Sequence, residues 1–282
     1  MELDLINIGE IQLNSTQYNN SSAGVLGKAT IVYEGKNYIV KSGMFSKPIF
    51  TTLEPVIECI CSELIQLFKI NCANYDLVKC TVQGNELWKT QESIVCISEN
   101  FLGENEIIIH ADNILNTKNT RTSYKHLTEV FKNNVIDINN MLIIDYIINN
   151  TDRHHKNFAM IYNSENNSLK FAPLYDHGFS LGQEMDIDYL ESESDDFSEV
   201  YTESDYSKCC GVSNSSQIAN IDYHSVKIDV DIEEIYKIID KYKCYLKPAT
   251  YEFMKYIIKR RLSYVKRVFT KGEGCYTRNN NI

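Results

Sequence analysis

The first hundred residues alternate short apolar runs with polar turns, and this spacing is typical of β-strands. Residues 1–13 and 28–41 each predict strand structure. Within the second range, Glu34-Gly35-Lys36 separates two apolar runs and predicts the turn of a hairpin. Three further short strands are predicted at Tyr75–Cys80, Leu87–Lys89 and Ser93–Ile97. The amino-terminal third is therefore predicted to be rich in β-strand.

A helical period appears first at Glu54–Phe68, where apolar residues recur every three or four positions and Pro55 lies in the first turn. Ser98–Gly103 then interrupts the apolar pattern and is predicted to connect two lobes, residues 1–98 and 99–282. Helices of the second lobe are predicted at Ser123–Lys132, Ile138–Asn149, Ile232–Tyr242 and Thr250–Phe269. The pattern indicates an α+β fold, with a β-rich lobe followed by a mainly helical one.

One hairpin interrupts the helical lobe, directly after a polar loop at Asp152–Asn157. Its predicted strands are Phe158–Tyr162 and Leu169–Ala172, and Asp176 lies just beyond the second strand. Because a hairpin folds back on itself, this order is expected to bring Asp176 towards Asn157.

Asp152 and Asn157, together with Asp176 in an Asp-x-Gly turn, are the side chains that phosphoryl transfer uses. Asp152 is predicted to orient or deprotonate an acceptor hydroxyl. Asn157 and Asp176 offer the oxygen ligands that Mg²⁺ prefers. Each residue alone fits an ordinary turn, but the combination at this spacing favours a kinase.

Three histidines near these residues, His154, His155 and His177, raise the alternative of a zinc site. Adjacent side chains point apart in most backbones, and no third ligand has zinc spacing, so zinc is disfavoured. His154 is instead predicted to orient or stabilise the catalytic group. Arg153 is predicted to bind phosphate or a carboxylate of an acidic segment further along the chain.

A small-residue loop, Ser21–Lys28, precedes a predicted strand, and its backbone amides are candidates to cradle phosphates. The spacing does not match a Walker A motif, and a simple turn is the alternative. Lys41, on the next strand, is the candidate for the α- and β-phosphates, with Glu58 on the following helix as its ion-pair partner. A lone lysine on a strand usually faces solvent, but the order of strand lysine and helix glutamate favours binding. The candidate contacts within the loop are Gly24, Gly27 and Lys28.

The net charge of −10 comes from one segment. Ten acidic residues lie between Glu184 and Asp205, while the rest of the chain has 28 acidic and 28 basic residues. The chain has no basic stripe for nucleic acid, and the segment disfavours anionic lipid and favours a protein substrate with a basic surface. Because the segment also contains Ser, Thr and Tyr residues, it is predicted to shape substrate access and to be autophosphorylated. A solvated loop is the alternative.

Nine cysteines without a Cys-x-x-Cys pair predict reduced thiols in the core. The acidic start of the chain lacks the pattern of a secretion signal. The strongest apolar run, Met141–Ile148, is interrupted by Asp145 and is too short to cross a bilayer. We therefore expect a cytoplasmic protein without integral membrane association, and a translocated effector also fits this pattern.

At these residues the chain resembles the HipA-like Ser/Thr protein kinases, in particular their short, single-chain type. The most specific points of resemblance are Asp152–Asn157 and Ala172–Asp176. The resemblance implies a two-lobed, protein-kinase-like fold related to that of the phosphatidylinositol kinases. It also implies ATP and Mg²⁺ as cofactors and transfer of phosphate to serine or threonine of a protein.

Carried over residue by residue, the resemblance implies Asp152 as the catalytic base and Lys41 as the phosphate-contacting lysine. Asn157 and Asp176 would be the metal ligands. The connector residues that match the family, Ser98-Glu99-Asn100-Phe101, imply Glu99 and Phe101 as contacts of the nucleotide.

Two departures from the family change the expectations. HipA itself has glycine or another small residue where Arg153 stands, whereas Asp-Arg-His-x-x-Asn is also the catalytic-loop pattern of phosphatidylinositol kinases. In those enzymes the histidine is often assigned a catalytic role, so His154 is expected to share the work with Asp152. Full-length HipA toxins carry an extra amino-terminal subdomain, for which the residues before Ser21 leave no room, and we therefore expect no antitoxin partner. A phosphoinositide or small-molecule kinase on the same scaffold, and a nucleotide-binding pseudokinase, remain the alternatives.

Overall fold

The computed structural model describes residues 3–16, 25–46, 48–115, 122–183, 185, 187–192, 196–198, 218, 221 and 228–270. Gly24 and much of the acidic segment Glu184–Asp205 lie outside the described residues. Within the described part of the chain, no helix combines the length and the apolar character needed to span a bilayer.

A seven-stranded sheet forms the amino-terminal part, in the order β1-β6-β7-β4-β3-β2, with β5 paired to β4. Strand β1 runs parallel to β6, and the other pairs are antiparallel. The hairpin between β3 and β4 turns at Glu34 and Gly35, both with left-handed φ angles of 48° and 77°, which suits a tight two-residue turn. The strands are β1 (Asn7–Ile11), β2 (Asn14–Thr16), β3 (Val25–Tyr33), β4 (Lys36–Ser46), β5 (Ile49–Phe50), β6 (Asp76–Val82) and β7 (Gln91–Glu99).

Strand β4 contains a bulge next to the lysine that the sequence singled out. Lys28 pairs with Lys41 and Leu26 pairs with Met44, so two steps along β3 oppose three along β4. The extra residue bends β4 towards the turn that follows it. Gly43 fits there because a Cβ at this position would lie 2.0 Å from the backbone oxygen of Thr51.

Helix α1 (Leu53–Leu67) packs against the sheet and also against the carboxyl-terminal helices. Pro55 fits the first turn, where its missing N–H is no loss, and the helix ends where Lys69 adopts a left-handed φ of 58°. Apolar side chains cover most of its surface, and residues such as Ile57 and Leu64 belong to the same core as Met141 of the carboxyl-terminal part.

The carboxyl-terminal part combines a small sheet, in the order β10-β9-β8, with the remaining helices. Its strands are β8 (Glu106–His110), β9 (Ala159–Asn163) and β10 (Ser168–Phe171). Its helices are α2 (Ala111–Leu115), α3 (Tyr124–Val130), α4 (Val135–Ile147), α5 (Ile187–Ser192), α6 (Ile232–Lys241) and α7 (Pro248–Thr270).

The predicted α+β class and most of the predicted elements are confirmed. The predicted strand Leu87–Lys89 is wrong. Trp88 is instead buried in a loop, where its ring lies 5.0 Å from that of Phe50 and its indole N–H donates to the Gln83 carbonyl. Strand β8 and helix α2 were not predicted. The cysteines at 59, 61, 80 and 96 are buried and free, as expected.

We expect Gly43→Ala to lower the free energy of unfolding by about 2 kcal/mol, because the added methyl group collides with backbone rather than with a movable side chain. Gly103→Ala is the matched control, since its nearest neighbour would lie 3.6 Å away, at Glu106. Urea denaturation of both variants measures the difference. Equal stability of the two variants would contradict this account of the bulge.

Candidate active site

Lys41, Glu58 and Asp176 form a partly buried cluster of charges between β4, α1 and the loop after β10. The Lys41 ammonium lies 2.7 Å from Oε1 of Glu58 and 2.8 Å from Oδ1 of Asp176. Burial alone would lower the pKa of Lys41, but the two carboxylates outweigh it and hold the pKa well above its ordinary value. The ring of Tyr75 lies 4.8 Å from the same ammonium group. The predicted ion pair is therefore present and fully formed.

Asp176 receives a second cation from β3. The Lys28 ammonium lies 3.8 Å from its Oδ2. Burial would raise the pKa of this carboxyl, but Lys41 and Lys28 reverse that effect and hold the pKa well below its usual range. Since Lys28 and Lys41 are directly paired across β3 and β4, two like charges share one face of the sheet. Such a pair is unfavourable unless an anion lies between them.

The predicted phosphate loop is placed only in part. Gly24 lies outside the described residues, and the Gly27 amide donates to Oγ of Ser42 at 2.9 Å. A Cβ at Gly27 would lie 2.6 Å from Leu13, so the glycine is required by packing. Gly27, Lys28, Lys41, Glu58 and Asp176 all line one small cavity of about 20 Å³. The contact of Gly24 and Gly27 with phosphates stays a prediction.

The loop after α4 carries Asp152, which is buried, and Asn157, which is held against it. The Asn157 side-chain amide donates to the Asp152 carbonyl at 3.0 Å, and the Asn157 backbone amide donates to the His154 carbonyl at 2.8 Å. Because its nitrogen is used in this way, the side-chain oxygen Oδ1 of Asn157 is the end that suits a cation. Nε2 of His154 lies 3.8 Å from a carboxylate oxygen of Asp152, and the orienting role of His154 stays a prediction.

The contacts of Arg153 differ from the prediction that it binds phosphate or a carboxylate of the acidic segment. Its side chain is 1% exposed, and the partners found among the described residues are neither solvent nor the acidic segment. The guanidinium group instead forms a two-pronged ion pair with Asp145 of α4, at 2.9 and 3.0 Å. It also donates to the Asn157 carbonyl and, at 2.8 Å, to the Tyr175 carbonyl. Arg153 therefore joins helix α4, the loop of Asp152 and the residue before Asp176.

His177 completes this network as a neutral side chain. Its Nδ1 lies 3.0 Å from Nη2 of Arg153, and since a guanidinium group can only donate, Nδ1 accepts. Burial, together with the charges of Arg153 and Lys41, holds the pKa of His177 well below its ordinary value. The His177 backbone amide donates to Oε2 of Glu58 at 2.8 Å, so helix α1 holds this loop directly.

The described residues give no support to the zinc alternative, because they contain no group of three or more His, Cys, Asp or Glu side chains that could hold a metal ion. Asn157 and Asp176 fit magnesium better. An amide oxygen and a carboxylate are hard ligands, and Arg153 holds Asn157 next to the residue that precedes Asp176.

The connector after β7 continues the cleft. The Glu99 carboxylate binds Lys36 at 2.7 Å on the exposed side, and the Asn100 backbone amide donates to the Asn37 carbonyl. The Phe101 ring lies 6.2 Å from that of Tyr175, which places Phe101 beside the loop of Asp176. The role of Glu99 and Phe101 in nucleotide binding stays a prediction.

Three further residues that shape the site had only weak signals in the sequence. Asp145 interrupts an apolar run, Tyr75 begins a predicted strand, and Glu54 lies one helical turn before Glu58. None of these patterns shows which residue the side chain contacts in the folded chain. The described residues of the acidic segment include helix α5.

An α+β fold with these side chains in the cleft between a curled sheet and a helical part is a protein-kinase-like fold. Residues 20–223 match the model of a protein family described as the HipA-like C-terminal domain, and the chain belongs to this family. No curated protein matches the chain in a sequence search.

A search of solved structures found, among others, three chains that resemble this one to different degrees. The crystal structure of the Helicobacter pylori proinflammatory kinase CtkA is 14% identical over 95% of this chain and 97% of its own, with a TM-score of 0.73. HipA of Shewanella oneidensis, in a complex with HipB and operator DNA, is 16% identical over 88% of this chain and 65% of its own, with a TM-score of 0.47. The MAP kinase LmaMPK10 of Leishmania major is 11% identical over 92% and 83%, with a TM-score of 0.25. The likeness to CtkA confirms the predicted fold.

We expect Arg153→Met to lower the free energy of unfolding by about 3–5 kcal/mol, because it leaves the Asp145 carboxylate buried without a cation. Lys36→Met is the matched control, since it removes the exposed ion pair with Glu99 and is expected to leave the unfolding midpoint almost unchanged. Chemical denaturation measures both. If the two variants unfolded at the same denaturant concentration, the central role of Arg153 would be refuted.

Proposed function

We propose that this protein is a protein kinase that uses ATP and Mg²⁺ to phosphorylate serine or threonine of a protein substrate. The observation that carries the proposal is the cluster of Lys41, Glu58 and Asp176, which Arg153 connects to the loop of Asp152 and Asn157. Membership of the HipA-like family supports the proposal. So does the description of CtkA, which has the same fold, as a kinase.

Lys41 and Lys28 would hold the phosphates of the nucleotide. Glu58 keeps the Lys41 ammonium in place, so its remaining donors can face an anion without a change of rotamer. Lys28 is more exposed, at 39% of its side chain, and is free to follow the outer phosphates. Positioning and charge neutralisation of this kind account for most of the catalysis in phosphoryl transfer.

Asn157 and Asp176 would hold Mg²⁺, which neutralises charge on the phosphates when it is bound. Asp152 would accept the proton of the substrate hydroxyl as the oxygen attacks the γ-phosphate. Its backbone is fixed by Asn150, whose side chain accepts from the Asp152 amide at 3.0 Å. His154, close to the Asp152 carboxylate, would orient that carboxylate and share the handling of the proton.

The acidic segment after Gly178 favours a protein substrate with a basic surface over an anionic lipid. Its Ser and Thr residues are candidates for autophosphorylation. A phosphoinositide or small-molecule kinase is the second candidate, because the Asp-Arg-His-x-x-Asn pattern is shared with the phosphatidylinositol kinases. The two candidates differ in the acceptor that receives the phosphate, and the experiment compares these acceptors directly.

Transfer from γ-labelled ATP with Mg²⁺ tests the proposal, with the protein itself, a basic generic protein and phosphoinositide vesicles as acceptors. We expect label on serine or threonine of protein, and a loss of about 10²–10⁴-fold in turnover for Asp152→Asn, because this variant cannot accept the proton. Asp137→Asn, at the start of α4, is the control and is expected to retain activity. Near-full activity of Asp152→Asn would refute the assigned role, and label on lipid alone would favour the second candidate.

A second variant separates metal binding from proton transfer. We expect Asp176→Asn to weaken Mg²⁺-dependent ATP binding, since it removes the only charged ligand among the proposed pair, whereas Asp152→Asn should leave ATP binding within about twofold. Isothermal titration with ATP, with and without Mg²⁺, measures both. The assignment of Asp176 is wrong if its variant binds Mg·ATP as tightly as the wild type.

A further inference from the structure

Glu54 is a second buried carboxylate on α1, one turn before Glu58, and it is 6% exposed. Its Oε2 accepts from the hydroxyl of Thr51 and from the backbone amide of Met44, the latter at 3.2 Å. Its Oε1 accepts from Nε2 of Gln183 at 2.9 Å. One carboxylate therefore contacts the bulged strand β4, the turn before α1 and the loop that follows Asp176.

Such an arrangement is costly unless the hydrogen bonds are kept. The three donors that contact Glu54 are neutral, and a buried carboxylate needs good hydrogen bonds to offset its lost hydration. The position in the first turn of α1 adds a favourable interaction with the helix dipole. The carboxylate is thus stabilised only when β4, α1 and Gln183 are all in their observed places.

The loop that carries Gln183 is itself firmly placed. Leu181 is fully buried with a left-handed φ of 57°, and its amide donates to the Ile148 carbonyl at 2.7 Å. Gly182 follows with a φ of 77°, and a Cβ there would lie 2.6 Å from the ring of Phe253. A non-glycine residue holds a left-handed conformation only where its surroundings fix it. The backbone next to Gln183 is therefore fixed, and this holds the Gln183 side chain within reach of Glu54.

We propose that Glu54 and Gln183 form a latch that positions the Asp176 loop relative to Lys41. Met44 lies three residues after Lys41, and Gln183 lies seven residues after Asp176. The latch therefore joins the two segments of the chain that carry Lys41 and Asp176. Glu54 is a positioning residue, because it acts through these neighbours. This inference rests on the proposed kinase function for its activity measurements and on hydrogen exchange for an independent measurement.

The chemistry of the pair suggests a set of exchange variants. Gln183→Glu places two carboxylates face to face, whereas Glu54→Gln can be accommodated because the Gln183 amide can rotate and present Oε1, which has no partner among the described residues. The double variant Glu54→Gln with Gln183→Glu restores one carboxylate and one amide. Other charged groups near the pair are Lys28, Lys41, Glu58 and Asp176 in the cavity beside Glu54, and Lys247 in the groove beside Gln183.

We expect Gln183→Glu to lower kcat about tenfold at pH 8.5 with KM for ATP little changed, and we expect the double variant to recover most of this loss. The sign of the pH effect follows from the carboxylate pair. One of its two pKa values is raised, so acidification to pH 6 protonates one group and restores the hydrogen bond. The ratio of variant to wild-type kcat should therefore rise as the pH falls. Glu54→Gln should remain within about threefold of the wild type.

Glu63→Gln is the matched control, because Glu63 also lies on α1 and also holds a carboxyl-terminal helix, through Lys241 at 2.6 Å and the hydroxyl of Tyr242. We expect it to lower stability without a change of the pH profile of kcat. A Gln183→Glu variant with the wild-type pH profile, or a double variant as impaired as the single one, would overturn the latch.

Hydrogen exchange tests the latch even if no phosphate transfer is found. In Gln183→Ala, we expect faster exchange in residues 41–46 of β4 as well as in residues 176–183, because the two segments are coupled through Glu54. Glu63→Gln should change neither segment. Faster exchange confined to residues 176–183 would show that Gln183 does not act on β4 and would refute the latch. Absence of transfer in the wild type would refute the proposed function alone.

Discussion

The pairing of Arg153 with Asp145 is the interaction on which the geometry of the cleft depends. A buried guanidinium group has no access to water, so each of its donors must find an oxygen or nitrogen inside the protein. Asp145 neutralises it, and the remaining donors fix the Asn157 and Tyr175 carbonyls and the His177 ring. One side chain therefore sets the distance between the loop that would carry the base and the loop that would carry the metal.

Helix α1 transmits this placement to the sheet. Its apolar side chains belong to the core of the carboxyl-terminal helices, while Glu58 and Glu54 reach β4 and the Asp176 loop from the same surface. A shift of α1 would therefore break the ion pair between Glu58 and Lys41, and it would at the same time expose the apolar side chains of α1. The described core thus continues from α1 into the second lobe, although α1 precedes the connector in sequence. The division of the chain into lobes at residues 98 and 99 remains a prediction.

Helical periodicity and the order of residues along the chain could be read in advance, whereas the contacts of side chains that are buried in loops could not. The period of α1 and the order of Lys41 and Glu58 predicted an ion pair that is present. Arg153 was misread because a polar loop usually faces solvent, and only the folded chain shows that Asp145 lies opposite it. The prediction of a strand at Leu87–Lys89 was wrong for a related reason. β-Strand propensity does not reveal that Trp88 is buried from a loop, where its indole N–H donates to the Gln83 carbonyl. Strand β8 was missed because Ile107 and its neighbours form a short run without alternation.

The charges around Asp176 show how the cleft could accept a nucleotide. A cavity of about 20 Å³ holds roughly one water molecule, so triphosphate binding requires that some contact in the cluster lengthen. The weakest contact is that between Lys28 and Asp176, at 3.8 Å. The Lys28 side chain is also more exposed than those of Lys41 and Asp176. Lys41 is held by Glu58 as well as by Asp176, and it can exchange Asp176 for phosphate oxygens while remaining neutralised. Asp176, once relieved of one lysine, would become available to a divalent cation. Nucleotide binding would then require a movement of the exposed Lys28 side chain, while the ion pair of Lys41 and Glu58 is already in place. Electrostatic catalysis requires preorganisation of this kind.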